Sequence, residues 1–516
     1  MSRIFSEVLG SKPKKNAFDL SHEKKFTAKM GVLYPIMSEQ VVPGDVFRNN
    51  TEVMLRLMPL IAPVMHSVDV YTHFFFVPNR LVWDNWGKFI AGEKVNGNDP
   101  VHPYIPSSVV DTTSLSGSGE LFDFLGIAKQ PEDVNALPLR GYQLIYNEYY
   151  RDQNLVPEIP VYKTDGAQSI PGDGSNAKLQ KRAWQKDYFT SALPWAQKGG
   201  EVILPLGGTA PVTATPYGML GHAYLRDKTT GAITVNAGGA MIGSDGSLQD
   251  NSNEQVYYDP NGSLSADLSG ATATTVNELR RAQKLQMWLE RQARSGSRYI
   301  ETILAHFGVR TEDYRLQRPE YLGGGKTPVV ISEVLQTSNA TSQPSALGTM
   351  AGHGIAVGNS HTFTKAFTEH GFVFCIFSVM PKPAYNSITR RHFYYKDKFD
   401  YYWPEFAQLG EQPVYTKEIF PTVTDRNKVF GYQQRYCEYK YIPSTVHAQM
   451  KSTLSFWHFG RKFASEPGLN QTFIQPVTSE LAQPFAVQTD DDKLVVQVFH
   501  NLKALRPIPF YNVPSL

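Results

Sequence analysis

Three stretches of the chain carry residue types that could do chemistry. Gly323-Gly324-Gly325-Lys326-Thr327 ends like a phosphate-binding loop, in which glycine amides and a lysine cradle a nucleotide. The first glycine of that pattern would fall at residue 320, which is Glu320, and Pro328 stands where the phosphate-binding helix should begin. Nucleotide binding is therefore not expected there. Asp490-Asp491-Asp492 could supply hard oxygen ligands to a cation, but it reads as a solvated turn before Lys493. The 13 histidines include no HExxH and no tight cluster, so His353, His361, His447 and His458 read as satisfied polar residues. No GxSxG elbow occurs. The chain is not expected to be an enzyme, and no metal or cofactor is expected; catalysis could arise only from residues that the fold brings together.

The third stretch has more to offer. Residues 390–403 run Arg390-Arg391-His392-Phe393-Tyr394-Tyr395-Lys396-Asp397-Lys398-Phe399-Asp400-Tyr401-Tyr402-Trp403. Rings flanked by cations can stack bases of single-stranded DNA while Arg390 and Arg391 neutralise phosphates. The same composition marks protein–protein interfaces, and the reading favoured for Phe393, Tyr394, Tyr395, Tyr401, Tyr402 and Trp403 is a subunit contact. A second candidate for polyanion contact is the N-terminal arm, residues 1–30. It carries seven basic groups, among them Lys12, Lys14, Lys15, Lys24 and Lys25, against three acidic ones. The arm is thus +4 in a chain whose total is +2, leaving −2 elsewhere. It suits a polyanion, or is simply a solvated terminus. Arg280, Arg281, Lys284, Arg291 and Arg294 form a further basic face on one helix.

The elements that must position these residues are mostly strands. Thr51–Leu60, Val68–Val77, Gly371–Val379, Gln434–Ile442 and Leu494–Leu502 are rich in Val, Phe and Tyr and often alternate in polarity. Helices are fewer. One is expected through Val82, Trp86, Phe89 and Ile90 to Gly92, another through Tyr142, Ile145, Tyr146 and Tyr149 after Pro138. The longest begins where Thr275 and Glu278 have capping-box spacing, breaks at Ser295-Gly296-Ser297, and resumes through Ile300, Ile303, Leu304 and Phe307 before Gly308. Cys375 and Cys437 lie in strand-like surroundings and read as buried reduced thiols rather than a disulfide. Met1-Ser2-Arg3-Ile4-Phe5 opens no apolar run, so no secretory signal is expected. The longest apolar stretch, Phe372 to Met380, is far too short to span a bilayer. A soluble protein made in a cytoplasm is expected.

Residues 199–274 stand apart. They hold 13 of the 40 glycines but only four aromatic residues (Tyr217, Tyr224, Tyr257, Tyr258) and two basic ones, Arg226 and Lys228. Such a segment inside an aromatic-rich scaffold reads as a surface insertion. Short strands are expected at Glu201–Leu204, Ala232–Val235 and Gln255–Tyr258. The expected fold class is mainly β, a β-sandwich with long loop insertions containing several helices.

An ordered series of short blocks resembles one family. They are Phe18-Asp19-Leu20-Ser21-His22, Pro43-Gly44-Asp45-Val46-Phe47, Phe76-Val77-Pro78-Asn79-Arg80-Leu81-Val82-Trp83 and Asn147-Glu148-Tyr149-Tyr150-Arg151-Asp152. Tyr188-Phe189-Thr190-Ser191-Ala192-Leu193-Pro194-Trp195, Gly296-Ser297-Arg298-Tyr299, Arg318-Pro319-Glu320-Tyr321-Leu322-Gly323-Gly324 and Gln336-Thr337-Ser338 follow. Phe406-Ala407-Gln408-Leu409-Gly410-Glu411-Gln412, Phe430-Gly431-Tyr432-Gln433 and Trp457-His458-Phe459 complete the series. In this order they resemble the major capsid protein of the Microviridae, small tailless single-stranded DNA bacteriophages, and particularly its gokushovirus-like branch. The resemblance implies a viral jelly roll split into residues 31–198 and 275–516, joined by long loops and interrupted by the 199–274 insertion. It implies self-assembly through pentamers into a T=1 icosahedral shell around the DNA genome, with the basic arm facing inward. It further implies partnership with a small DNA-binding protein, a pilot protein and a scaffolding protein, assembly in the bacterial cytoplasm, and residence in the virion. The insertion would form a three-fold protrusion that meets a host surface receptor.

Two other classes compete. A secreted β-sandwich carbohydrate-binding protein or glycosidase would use the rings as sugar platforms, but no signal and no paired acidic motif stand out. A monomeric nucleic-acid-binding protein is undercut by the net −2 outside the arm.

Overall fold

Strict alternation builds the longest strands, because successive side chains of a strand point to opposite faces. Val46–Leu57 buries every second residue, from Phe47 to Leu57, and turns Arg48, Glu52 and Arg56 to solvent. In the computed structural model the described residues are 13–111, 119–171, 174–200, 202, 276–296, 298–335, 350–487, 489 and 492–511, with short strands between residues 212 and 266. We number the principal strands β1 (Asn16–Asp19), β2 (His22–Ala28), β3 (Tyr34–Val41), β4 (Val46–Leu57), β5 (Val68–Pro78), β6 (Glu320–Pro328), β7 (Val330–Leu335), β8 (Met350–Ala366), β9 (Gly371–Pro381), β10 (Glu411–Tyr415), β11 (Val429–Gln434) and β12 (Leu494–Arg506).

The fold is predominantly antiparallel sheet. One sheet has the order β1-β12-β4-β8-β7, with β2 also on β12, and a second has the order β6-β5-β9-β3. The two share one apolar core. Phe47, Val53, Leu55, Val496 and Val498 from the first meet Val70, Phe74, Val373 and Phe377 from the second. Phe74 lies 5.0 Å from Phe363, and Phe76 4.8 Å from Phe367, ring centre to ring centre.

Strand β9 is buried along its whole length. Val373, Cys375, Phe377 and Val379 face the shared core, while Phe372, Phe374 and Ile376 face a second cluster on the outer side of their sheet. Helix α1 (Leu137–Ile145), continued by a wider turn through Tyr146–Tyr150, covers that side with Leu139, Tyr142 and Ile145. Its buried Arg140 is satisfied by Gln168 at 2.6 Å and the carbonyls of Val82 and Thr164 at 3.0 Å. The Tyr142–Tyr149 helix of the sequence reading is therefore present. The Val82–Ile90 one divides into Asn79–Val82 and Trp86–Ala91, because Trp83 is extended and buried, its indole donating to Asp165 at 2.6 Å. Cys375 is buried and Cys437 half-buried, both free.

The glycines of Gly323-Gly324-Gly325-Lys326-Thr327 serve the sheet. All three, with Lys326 and Thr327, lie in β6, where a Cβ on Gly325 would stand 2.4 Å from the His361 ring. His361 is wholly buried, paired with Thr72 and, at 2.9 Å, with Thr327. His500 is buried nearby in sequence register with Thr51, which it contacts at 2.8 Å, while Asn49 donates to the same hydroxyl at 2.8 Å. A polar layer thus runs through the apolar core. Gly296 and Gly308 adopt positive φ on either side of helix α3 (Tyr299–Phe307), which follows helix α2 (Val276–Ser295) as expected. Thr275 lies outside the described residues. Where a strand was expected over Gln434–Ile442, β11 ends at Gln434, Tyr436 turns into the left-handed region, and Cys437–Lys440 form a helical turn.

By compactness the chain divides into one unit of residues 1–196 and 292–516 and another of residues 197–291. The second contains the pairings Leu225–Asp227 with both Ile233–Thr234 and Val256–Tyr258, Val212–Ala214 with Leu264–Ala266, and Met241–Ile242 with Leu248–Gln249. Two of these strands fall within the stretches 232–235 and 255–258 expected from sequence. Apart from Val202, the expected strand at 201–204 lies outside the described residues. No described helix is long and apolar enough to cross a membrane.

Burial pushes the His500 imidazole down to about 3, helped by His22 and Lys24, and pushes His361 down as well. An unfolded histidine titrates near 6.5. Between that value and the folded one, the unfolded chain binds protons that the folded chain refuses. Stability from this layer is complete above about pH 6.5 and falls on acidification, by at most about 1.4 kcal/mol per pH unit for each histidine. The urea midpoint should drop from pH 7.5 to pH 5, and His500→Gln should shallow that slope. An equal slope in the variant would show that His500 is not a source.

Candidate subunit interface

Beyond β9 the chain leaves the two large sheets and builds a separate platform. Short turns at Arg391–Tyr394, Lys398–Asp400 and Pro404–Phe406 precede the β10–β11 hairpin and the helical turns Thr416–Ile419 and Cys437–Lys440. Local chemistry sets the turns. The Asp397 carboxylate accepts from the Lys398 amide at 2.6 Å, and Asp400 accepts from the amides of Lys396 and Asp397 at 2.7 and 2.9 Å. An apolar cluster of Tyr188, Phe189, Tyr385, Val414, Phe430 and Phe473 lies beneath.

Between that cluster and the surface sits a buried ionic network. Glu418 accepts from the Tyr188 hydroxyl at 2.9 Å and the Tyr415 amide at 3.0 Å, and faces Arg391 at 3.4 Å. Arg391 also donates to the Pro413 carbonyl at 2.6 Å and reaches Glu438 at 3.6 Å. Glu438 accepts from the Tyr395 hydroxyl at 2.8 Å and from Gln412 at 2.6 Å. Burial raises the Glu418 carboxyl above the usual range against the pull of Arg391. Burial also opposes the charge on Arg391, but Glu418, Tyr188 and Glu438 outweigh it, so the guanidinium is held more firmly protonated than usual. A cleft of about 270 Å³ opens above the network, walled by Tyr394, Tyr395, Tyr415, Lys417, Arg435 and Tyr436. The surrounding cations already cover rings: Lys417 lies 4.6 Å from the Tyr415 ring and Arg435 5.0 Å from that of Tyr436.

On the outer side of this platform the rings stand uncovered. Phe393 is 71% exposed, Tyr401 56% and Trp403 45%, and Phe399, Tyr402, Leu409, Tyr439 and Ile442 are exposed too. Tyr402 packs edge-on against Tyr436 at 4.9 Å, and Tyr395 against Tyr401 at 5.2 Å, so the rings brace one another instead of fanning out as parallel shelves. An exposed apolar group of this extent marks a binding surface. Edge-to-face bracing offers few free ring faces to bases and a continuous apolar relief to another protein.

The structure sorts the residues named from sequence. Phe393, Tyr401, Tyr402 and Trp403 lie on the outer side; Tyr394 and Tyr395 are half-buried walls, with the Tyr394 hydroxyl donating to the Lys417 carbonyl at 2.9 Å. Arg390 is half-buried. Arg391, expected as a phosphate contact, is largely buried in the ionic network and lines the cleft above it. Lys24 is half-buried and donates to the Phe124 carbonyl at 2.6 Å, and burial pushes its ammonium down. Lys25 is exposed beside Glu23 at 3.0 Å, Lys14 is exposed, and Lys15 is exposed with its ammonium on the Gly44 carbonyl. Lys12 lies outside the described residues. Arg280, Arg281, Lys284 and Arg291 are exposed along α2, whereas Arg294 pairs with Glu411. Sequence reasoning missed Tyr439 and Ile442, which it placed in a strand; the i,i+3 spacing of Tyr436 and Tyr439 was the available signal.

Removing one partner of a buried ion pair leaves the other uncompensated, which costs about 3–5 kcal/mol. Arg391→Met should therefore lower the melting temperature sharply, and adding Glu418→Gln should recover part of the loss. Equal melting of single and double variants would show that the pair carries no coupling.

Comparison with known proteins places this surface in context. A family model described as "Capsid protein (F protein)" matches residues 6–516. The chain is 36% identical to capsid protein VP1 of Chlamydia phage 1, over 100% of this chain and 98% of that protein. It is 37% identical to capsid protein VP1 of Bdellovibrio phage phiMH2K, covering 99% and 97%. Capsid protein VP1 of Spiroplasma virus 4 is 31% identical over 99% and 97%.

Proposed function

Because the chain belongs to the capsid protein (F protein) family, we propose that it closes by self-association into a T=1 icosahedral shell around a single-stranded DNA genome, and that its aromatic face is one of the contacts between copies. The observation that carries this reading is the set of exposed rings Phe393, Phe399, Tyr401, Tyr402 and Trp403 beside a buried ionic network. Rings held in place before binding lose little freedom when another subunit covers them. Many such contacts per copy, each modest, then sum to a stable particle.

The jelly roll is the fold that suits this role, and the strand order supports it. Taking β2, β3, β4, β5, β6, β8, β9 and β12 as strands one to eight in chain order, the two sheets read 1-8-3-6 and 2-7-4-5. Two interleaved Greek keys produce that alternation. Strands β1 and β7 extend the first sheet.

The remaining parts of the reading follow from this role. The 199–274 insertion projects from the shell as the three-fold protrusion and meets the host receptor; its poverty of charge and aromatic groups suits a cluster of copies at a symmetry axis. The lysines of the arm, Lys12 with the exposed Lys14 and Lys25, meet the genome through phosphates, a contact that weakens with salt. Small DNA-binding, pilot and scaffolding proteins accompany assembly in the bacterial cytoplasm, and the product resides in the virion. The sequence alternative, a β-sandwich carbohydrate-binding protein or glycosidase, gains no support from capsid relatives that match across its whole length.

Electron microscopy of the protein produced with its phage's structural proteins should show closed shells. Charge reversal at Lys12, Lys14 and Lys25 should lower packaged DNA without preventing pentamers; unchanged DNA content would remove the arm from genome contact. Deleting residues 203–271 should spare shells and abolish infection, whereas loss of pentamers would mean that the insertion is structural.

A further inference from the structure

A single face that meets only itself stops at a dimer, and a ring of five identical copies closes only where two different faces meet head to tail. Some face must meet a different face of the next copy. The aromatic platform therefore invites a search for its counterpart elsewhere on the chain, and helix α3 has the properties required.

Helix α3 is well terminated. The Arg298 amide donates to the Glu301 carboxylate at 3.0 Å at its start, and Gly308 ends it at φ 69°. Yet none of its nine residues is buried. A surface helix normally turns its apolar stripe inward and its polar side to water. On this one Ile300 and Ile303 are only half-buried, and polar groups do the anchoring. Thr302 and His306 are both tied to Gln292, at 3.0 Å each. Tyr299 and Phe307 are 69% and 77% exposed, and Leu304 is exposed between them. Val309 and Tyr314 continue the uncovered surface beyond the helix. The polar anchors fix the helix with its apolar ridge outward, an arrangement that water alone would not favour.

We propose that the aromatic face of one copy receives the α3 ridge of a second copy, in a head-to-tail contact. The proposal rests on the self-association reading and names the partner surface. Its chemistry is apolar at the centre, where Leu304 and Phe307 enter among Tyr401, Tyr402 and Trp403. At its margin the tyrosine hydroxyls remain free to bond water or backbone. Aromatic residues packed in this way are the usual centres of interface energy. Another exposed apolar group, on the outside of the first sheet around Val357 and Val495, is interrupted by Glu52 and Arg56 and fits less well.

Two exposed double variants test the pairing: Tyr401→Glu with Tyr402→Glu, which spoils the face, and Leu304→Glu with Phe307→Glu, which spoils the ridge. All four side chains are exposed, so each variant should melt as the parent does, and a variant that melts lower is replaced by the corresponding serine substitutions. Differently tagged copies are co-expressed with the phage's other structural proteins, and recovery of one by the other is measured. Parent with parent should associate. Face variant with face variant, and ridge variant with ridge variant, should fall at least tenfold. Face variant with ridge variant should recover each other, since one intact face still meets one intact ridge. If the ridge variant associates with itself as the parent does, or the mixed pair fails to recover, the pairing is wrong while the aromatic contact stands. If the face variant associates normally, the aromatic contact itself is wrong, and if parent copies fail to recover each other, self-association is.

Discussion

One strand buried on both faces governs this structure. All eleven residues of β9 are buried, so its sheet needs an apolar layer on each side. The β4–β8–β12 sheet supplies one, and α1 with its continuation supplies the other. The packing is close enough to dictate residue choice. A Cβ on Gly141 of α1 would stand 2.7 Å from the Phe374 ring, so glycine lets the helix approach the strand. The polar layer through the core follows from the same closeness. With His361 lying against Gly325, the crossing of β6 over β8 leaves no room for a side chain, and hydroxyls of Thr72 and Thr327 satisfy the ring that sits there.

Because this double-sided core is complete without residues 382–442, that stretch is free to serve the surface. Its own small cluster around Tyr385 and Phe430 anchors it, and the Arg391–Glu418–Glu438 network fixes its outer layer. Buried ions are a poor source of net stability. They are directional, however, and here they hold the turns that carry the rings. The exposed rings are thus kept away from the folding core and carried on turns that the network holds in place.

How much of this was legible in the sequence depended on the range over which each feature is decided. Strands β4, β5, β9 and β12 are set by alternation or by a continuous apolar run, and these were readable. So were the ends of α2 and α3, which Gly296 and Gly308 determine locally. The Gln434–Ile442 stretch was misread because tyrosines favour strands on average, while Tyr436 takes a left-handed conformation that only the surrounding hairpin explains. The partners of Lys24 and Arg391 were not legible, for a longer-range reason. These lie at Phe124 and at Glu418 and Glu438, and no local pattern tells a paired cation from a free one. The family resemblance, carried by blocks spread over most of the chain, identified what local chemistry could not.

The orientation of α3 shows why exposure can be more informative than composition. Its sequence, Tyr299-Ile300-Glu301-Thr302-Ile303-Leu304-Ala305-His306-Phe307, reads as an ordinary amphipathic helix whose stripe belongs in a core. Only the bonds from Gln292 reveal that the polar side is the anchored one. The same inversion appears on the platform, where Phe393 and its neighbours sit outside a polar network instead of beneath it. In both places polar contacts do the positioning that apolar burial usually does, and the apolar surface is left for another molecule to cover. A subunit of a shell requires this division of labour, because part of its hydrophobic burial must be postponed until the copies meet.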